Sequence, residues 1–353
     1  MQHRDPFFHN NRSMNRRSFL KMSGLLGLGM ASATVFPVSA EAVRFNRKLY
    51  KVSGSQLAMG TFVSMTLFHE SKNQAEAAMG RAYEEIDRLS KSMNRFDGST
   101  AIAQLNQDGR LRDIPPEMYQ VIVRALEYHR ITHGTFDITV KPVIDLFRNK
   151  FTGKNKGVPS ENELEALLTR VGSHKIKLAK GSIVFQDPGM GITLDGIAKG
   201  YIVDKASECL LKQGISNHLI NAGGDIRTMG SKSDKKPWTV AIQDPSKKKN
   251  YPDIIQMRDG AIATSGNYEI YFDQEKMFHH IVDPKTGCSP VMSTSVSVLA
   301  RMTMEADALS TSVFVMGPAR GTAFINSLPH CECLVLARDG NQLKSIGWKR
   351  TAI

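Results

Sequence analysis

The chain has 353 residues, 41% of them hydrophobic and 23% charged, with a formal net charge of +12. That is the composition of an ordinary globular protein, long enough for one large domain or two and for a substantial core. A positive surplus favours anionic ligands, phosphates included, yet no basic helix carries interleaved aromatics, so nucleic acid is not the expected partner.

Residues 1–40 hold Arg4, Arg12, Arg16, Arg17 and Lys21 against Asp5 alone, so the remainder carries +8. Within them, Asn15-Arg16-Arg17-Ser18-Phe19-Leu20-Lys21 resembles a twin-arginine export signal. A Gly/Ala-rich apolar segment, Met22 to Phe36, follows and ends on Val38-Ser39-Ala40, with Ala40-Glu41-Ala42 as an overlapping cleavage choice. The segment is shorter than the roughly 20 residues of a spanning helix. No cysteine follows it to take a lipid. Residues 1–40 are therefore expected to be a cleaved signal, the protein to be periplasmic and peripheral to a membrane at most, and residues 43–353 to form one catalytic domain.

Further on, Gln56–Phe68 alternates like a strand around Met59-Gly60-Thr61, and Asn73–Met93 has helical periodicity through Ala75, Ala78, Ala82, Ile86 and Leu89. Short helices are expected around Ala101–Asn106 and Glu161–Val171, and a longer one over Pro116–His133, closed by Gly134. Phe151–Gly157 reads as a basic loop, as does the run Lys247-Lys248-Lys249. Lys175–Leu178 and Ser182–Gln186 read as a hairpin, and Ile197–Gln213 as a helix after a Gly-rich turn. Strands are then expected at His218–Asn221, Trp238–Ile242, Ala261–Thr264, His279–Val282, Ser293–Leu299 and Cys333–Ala337. Helices and hairpin-like strands in this order indicate an α+β fold. Cys209, Cys288, Cys331 and Cys333 match no zinc spacing, and the last two are too close for an easy mutual disulfide.

Four segments carry candidate chemistry. In the apolar helix Met304–Met316, stopped by Gly317-Pro318, Asp307 and Thr311 stand four residues apart on one face. Two hard oxygen donors suit Mg²⁺ or Ca²⁺; equally, the Asp can satisfy the helix dipole and the Thr its own i−4 carbonyl. Asn221-Ala222-Gly223-Gly224-Asp225 ends a strand, where paired glycines serve either a plain turn or close approach of a ligand. In Thr193–Tyr201 a turn around Gly196 enters a helix, from whose first turn Lys199 reaches toward a phosphate, although P-loop spacing is absent. His280, before the Asp283–Gly287 turn, is a general base or a satisfied structural histidine. The hydroxyl-rich Thr264-Ser265-Gly266-Asn267 is not a G-x-S-x-G elbow.

Eight segments in order carry a resemblance: Ala58–Thr61, Phe96 with Asn106 ten residues on, Gly134–Val140, Asp195–Tyr201, Asn221–Asp225, Ala263–Gly266, His280–Gly287 and Ala306–Thr311. Together they resemble the ApbE-type flavin transferases, the FAD:protein FMN transferases. The resemblance implies a T-fold-like α+β architecture and a reaction that cleaves FAD with Mg²⁺ and passes FMN to a threonine or serine hydroxyl of an acceptor flavoprotein. Acceptors of that family are subunits of sodium-pumping quinone reductases, Rnf-type complexes and exported reductases. It further implies metal ligation by Asp307, Thr311 and the Gly196 carbonyl, adenine contacts from Met59 and Phe96, and FAD contacts from Thr135, Phe136, Asp137, Thr193 and Lys199. His280 falls where the family has its proposed base. Two positions depart from the family: Thr193 stands where most members have Asp, and Phe96 where they have Tyr. An FAD pyrophosphatase, or a flavin-binding protein without transfer, would retain much of the same set.

Overall fold

Strand alternation and helical stripes meet in a layered molecule. The computed structural model describes residues 41–46, 48–152, 157–179, 181–232, 235–245, 251–268 and 278–348. The twin-arginine segment, part of the Phe151–Gly157 loop and the Lys247–Lys249 run lie outside them. In chain order the strands are β1 (Glu41–Arg44), β2 (Tyr50–Ala58), β3 (Thr61–His69), β4 (Arg110–Arg112), β5 (Ile176–Ala179), β6 (Ser182–Phe185) and β7 (Asn217–Ala222). Then come β8 (Asp225–Met229), β9 (Trp238–Ala241), β10 (Ile254–Met257), β11 (Gly260–Gly266), β12 (Ser293–Ala300), β13 (Glu332–Ala337) and β14 (Gln342–Lys344). The helices are α1 (Lys72–Ser92), α2 (Ala101–Asp108), α3 (Pro116–Ile131), α4 (Lys141–Thr152), α5 (Glu161–Leu168), α6 (Ala198–Lys212), α7 (Thr303–Met316) and α8 (Pro318–Asn326).

Nine strands form one sheet in the order β1-β2-β3-β7-β8-β11-β12-β13-β14, and every neighbouring pair is antiparallel. Because successive side chains point to opposite faces, each central strand feeds two cores. Ala263, Val296, Val298, Cys333 and Val335 join the core beneath the helices. Their neighbours Ile262, Leu299, Leu334 and Leu336 pack instead with Val240, Ile255 and Met257 of the β9–β10 ribbon and with Trp348. The expected α+β class is observed, with antiparallel sheets throughout. No described helix is long and apolar enough to cross a membrane.

Helix α1 buries its Ala75, Ala78, Ala82, Ile86 and Leu89 stripe and starts at Ser71, whose hydroxyl accepts from the Gln74 amide. Helix α6 lies between α1 and α7, and α7 lies on β11 and β12. Asp204, buried in α6, caps α7 by accepting from the amides of Thr303 and Met304, both at 2.9 Å. Gly200 permits this approach, since a Cβ there would come within 2.5 Å of the Thr303 carbonyl oxygen.

Three expectations need correction. His279–Val282 is not a strand: His279 alone makes an isolated bridge, and the Ser289 hydroxyl accepts from its amide and donates to its carbonyl. Gly317 does end α7, but Pro318 opens α8, because proline fits the first turn of a helix. The chain also forms α4 and strands β1, β4, β8, β10 and β14, none of which the periodicity indicated.

Candidate active site

The end of β11, the start of β8, the first turn of α6 and one face of α7 converge with the segment 135–144 on a cleft partly open to solvent. Its wall includes nine of the residues singled out from the sequence: Thr135, Phe136, Asp137, Thr193, Gly196, Lys199, His280, Asp307 and Thr311. Met59 and Phe96 are not in that wall. Met59 occupies the β2–β3 turn in the left-handed region, with φ 51°. Phe96 is 61% exposed and lies under two guanidinium groups, Arg95 at 4.3 Å and Arg148 at 4.5 Å from the ring centroid.

Asp307 is 5% exposed, and its Oδ2 accepts from the Gly200 amide at 3.1 Å. One turn on, the Thr311 hydroxyl lies 3.3 Å from the Ser265 hydroxyl, which also lies 2.8 Å from that of Ser310. Gly196 faces the same point, since a Cβ built there would sit 3.2 Å from Thr311 Oγ1. A carboxylate and a hydroxyl, both hard oxygen donors, thus stand on one face of α7 beside the Gly196 turn. Among the described residues no group of three or more His, Cys, Asp or Glu side chains could hold a metal. The donor set fits Mg²⁺, which is commonly bound by one or two carboxylates and completed by substrate phosphates.

Opposite charges are also placed in the wall. Lys199 Nζ lies 3.2 Å from Asp225 Oδ2, and Asp225 is buried at the start of β8. Asp195, exposed, pairs with Arg95 at 3.5 Å, and Arg95 pairs with Asp145 at 3.0 Å. Burial pushes the Arg148 guanidinium below its ordinary value, and the nearby Arg95 adds to that.

Asp137 has a structural side to its place in the wall. Its carboxylate accepts from the Thr139 amide at 2.8 Å, from the Ser173 hydroxyl at 2.7 Å and amide at 3.0 Å, and from His129 Nδ1 at 3.1 Å. Burial pushes this carboxyl up, but the hydrogen bonds from His129, Thr139 and Ser173 outweigh it and hold the group below its usual range. With its oxygens so engaged, Asp137 fixes the turn that presents Thr135 and Phe136. Asn106 does similar work opposite, exchanging hydrogen bonds with both backbone groups of Ile192. Thr193, two residues before Asp195, accepts from the Asp195 amide at 3.3 Å.

Sequence patterns singled out the segments holding Asp225 and Ser265 without assigning either residue to the site. Nothing local in the sequence marks the Arg95–Asp195 pair, whose members stand 100 residues apart, or the Arg148–Phe96 contact. The four cysteines are free thiols, and Cys331 and Cys333 are buried.

Residues 59–335 match the ApbE family. An FAD:protein FMN transferase of Vibrio cholerae is 33% identical over 249 residues, spanning 68% of this chain and 74% of the relative. Another, from Haemophilus influenzae, is 29% identical over 312 residues, spanning 84% and 87%. In three dimensions the chain is similar to the ApbE protein of Thermotoga maritima, with a TM-score of 0.77 and 29% identity over 86% of this chain and 99% of that one. The flavin transferase ApbE of Vibrio cholerae gives a TM-score of 0.71 at 26% identity, over 88% and 99%. The chain therefore belongs to the ApbE family, whose curated relatives here are named as flavin transferases.

Proposed function

We propose that this enzyme transfers FMN from FAD to a threonine or serine hydroxyl of an acceptor flavoprotein and releases AMP, with Mg²⁺ required. The observation that carries the proposal is the convergence of Asp307, Thr311, Gly196, Lys199 and His280 on one cleft. In the reaction the acceptor oxygen bonds to the FMN phosphorus, the pyrophosphate P–O bond breaks, and AMP leaves with that bridging oxygen.

A hydroxyl is a poor nucleophile until its proton is taken, and His280 in the wall is the residue assigned to take it. Lys199 stabilises negative charge gathering on the phosphate oxygens. Thr135, Phe136 and Thr193 border the space for the rest of FAD, and Asp137 holds their turn. Met59 and Phe96 are assigned to the adenine end, outside the cleft wall. Mg²⁺ on Asp307, Thr311 and the Gly196 carbonyl would neutralise pyrophosphate charge as a Lewis acid. Export to the periplasm by the twin-arginine route is part of the same proposal. So are acceptors of the quinone reductase, Rnf-type or exported reductase kinds.

The test is an incubation of the mature protein with FAD, Mg²⁺ and a candidate acceptor domain, read by in-gel flavin fluorescence. A covalently fluorescent acceptor is the expected result. A dark acceptor with free FMN accumulating would instead establish FAD hydrolysis.

A further inference from the structure

Asp225 lies in the wall of a cleft proposed to receive a pyrophosphate, where a bare carboxylate would repel the substrate. It is 1% exposed, and burying a charge without a partner is costly. Its placement is built into the backbone. The β7–β8 hairpin turns through Gly223 and Gly224, at φ 63° and 108°, and Ala222 pairs with Asp225 across the turn. The Gly224 amide donates to Asn221 Oδ1 at 3.0 Å, and a Cβ on Gly223 would collide with Thr61 Oγ1 at 2.5 Å. Gly223 thus brings strand β3 close to the backbone, and the turn sets Asp225 facing α6.

Lys199 stands there, in the first turn of α6, with its ammonium 3.2 Å from Asp225 Oδ2. The buried carboxylate thus meets its counter-charge in an ion pair across the two elements. Burial pushes the Asp225 carboxyl up, while Lys199 and the Thr264 amide oppose it. A lysine on a flexible four-carbon stem is otherwise poorly localised. We infer that Asp225 is the positioning residue for Lys199, fixing its ammonium in the cleft wall toward the FAD pyrophosphate without touching the nucleotide itself. The inference rests on FAD being the substrate, as proposed above.

A double-mutant cycle on FAD binding tests it, read by quenching of flavin fluorescence with Mg²⁺ present and no acceptor. Asp225→Asn and Lys199→Met should each weaken binding about tenfold, and the double variant should bind no worse than Lys199→Met alone. Equal binding by Asp225→Asn and wild type, or penalties that multiply in the double variant, would overturn the inference. A merely structural Asp225 gives the multiplying result, because its loss then weakens binding whether or not Lys199 is present. Should Asp225→Asn fail to fold, Asp225→Glu carries the test, since it keeps the charge and moves it by one methylene. An unchanged melting temperature with about tenfold weaker FAD binding supports positioning, and wild-type binding overturns it. Because the cycle needs no acceptor, a wild type that binds FAD but labels no acceptor sinks the transferase proposal and still returns the coupling.

Discussion

The Gly200 amide donates to Asp307 Oδ2 at 3.1 Å, tying the first turn of α6 to the cleft-facing side of α7. The bond makes the charge and the geometry of Asp307 separable by mutation. Asp307→Asn keeps an acceptor for Gly200 and should melt close to wild type, yet lose Mg²⁺-dependent FAD cleavage. Asp307→Ala also orphans a buried amide and should cost about 1–3 kcal/mol of stability. Urea denaturation and a Mg²⁺ titration of turnover read the two effects; full turnover in Asp307→Asn would remove the metal assignment.

Gly200 lets α6 approach the first turn of α7, where a Cβ would lie 2.5 Å from the Thr303 carbonyl oxygen. Gly200→Ala places a methyl against the backbone of Thr303 and Met304, which cannot swing aside as a side chain can. The variant should lose about 1–3 kcal/mol, as overpacked cores do, and transfer less flavin because Asp307 and Lys199 are displaced together. Thermal melting and in-gel fluorescence on one preparation check both.

His280→Ala should slow transfer by roughly 10²–10⁴-fold, the usual contribution of a general base. FAD binding should change only a few-fold. Single-turnover labelling beside a flavin-quenching titration separates these, and a parallel loss of binding would show that the histidine holds substrate instead.

The His129–Asp137 pair predicts a pH dependence of folding. The Asp137 hydrogen bond raises the His129 imidazole above its ordinary 6.5. Its stabilisation is therefore complete below pH 6.5 and is lost as pH rises through the higher folded value. Asp137 is lowered from 3.8, so its share is present above that pH and fades as pH falls through the lower folded value. Urea midpoints should drop between mildly acidic and mildly alkaline buffer in wild type, and His129→Gln should flatten that drop.

Much of the site could be read because its parts are short and contiguous. Asp307 and Thr311 share a helix face, and Gly196 and Lys199 share a turn, so spacing alone groups each pair. Pairings that join distant segments left no such trace: Asp204 with Thr303, Lys199 with Asp225, Arg95 with Asp195. The His279–Val282 stretch has strand composition, but only His279 is bridged, and a serine hydroxyl bonds both of its backbone groups. Gly317-Pro318 reads as a stop and is one, yet the proline suits the opening of the next helix just as well. Strand β8 shows no apolar alternation, because its buried positions include the polar Asp225 and Thr228; only the hairpin partner explains it.

Helix α7 buries eleven of its fourteen residues and so has almost no solvent face of its own. An element enclosed by α6, α8 and the sheet cannot rotate or slide without dismantling the interior around it. Asp307 and Thr311 are therefore held at fixed separation before any ligand arrives, and no ordering cost for them is left to be met on binding. Whatever part of this enzyme moves to admit FAD or an acceptor, it is not the helix that carries those two oxygens.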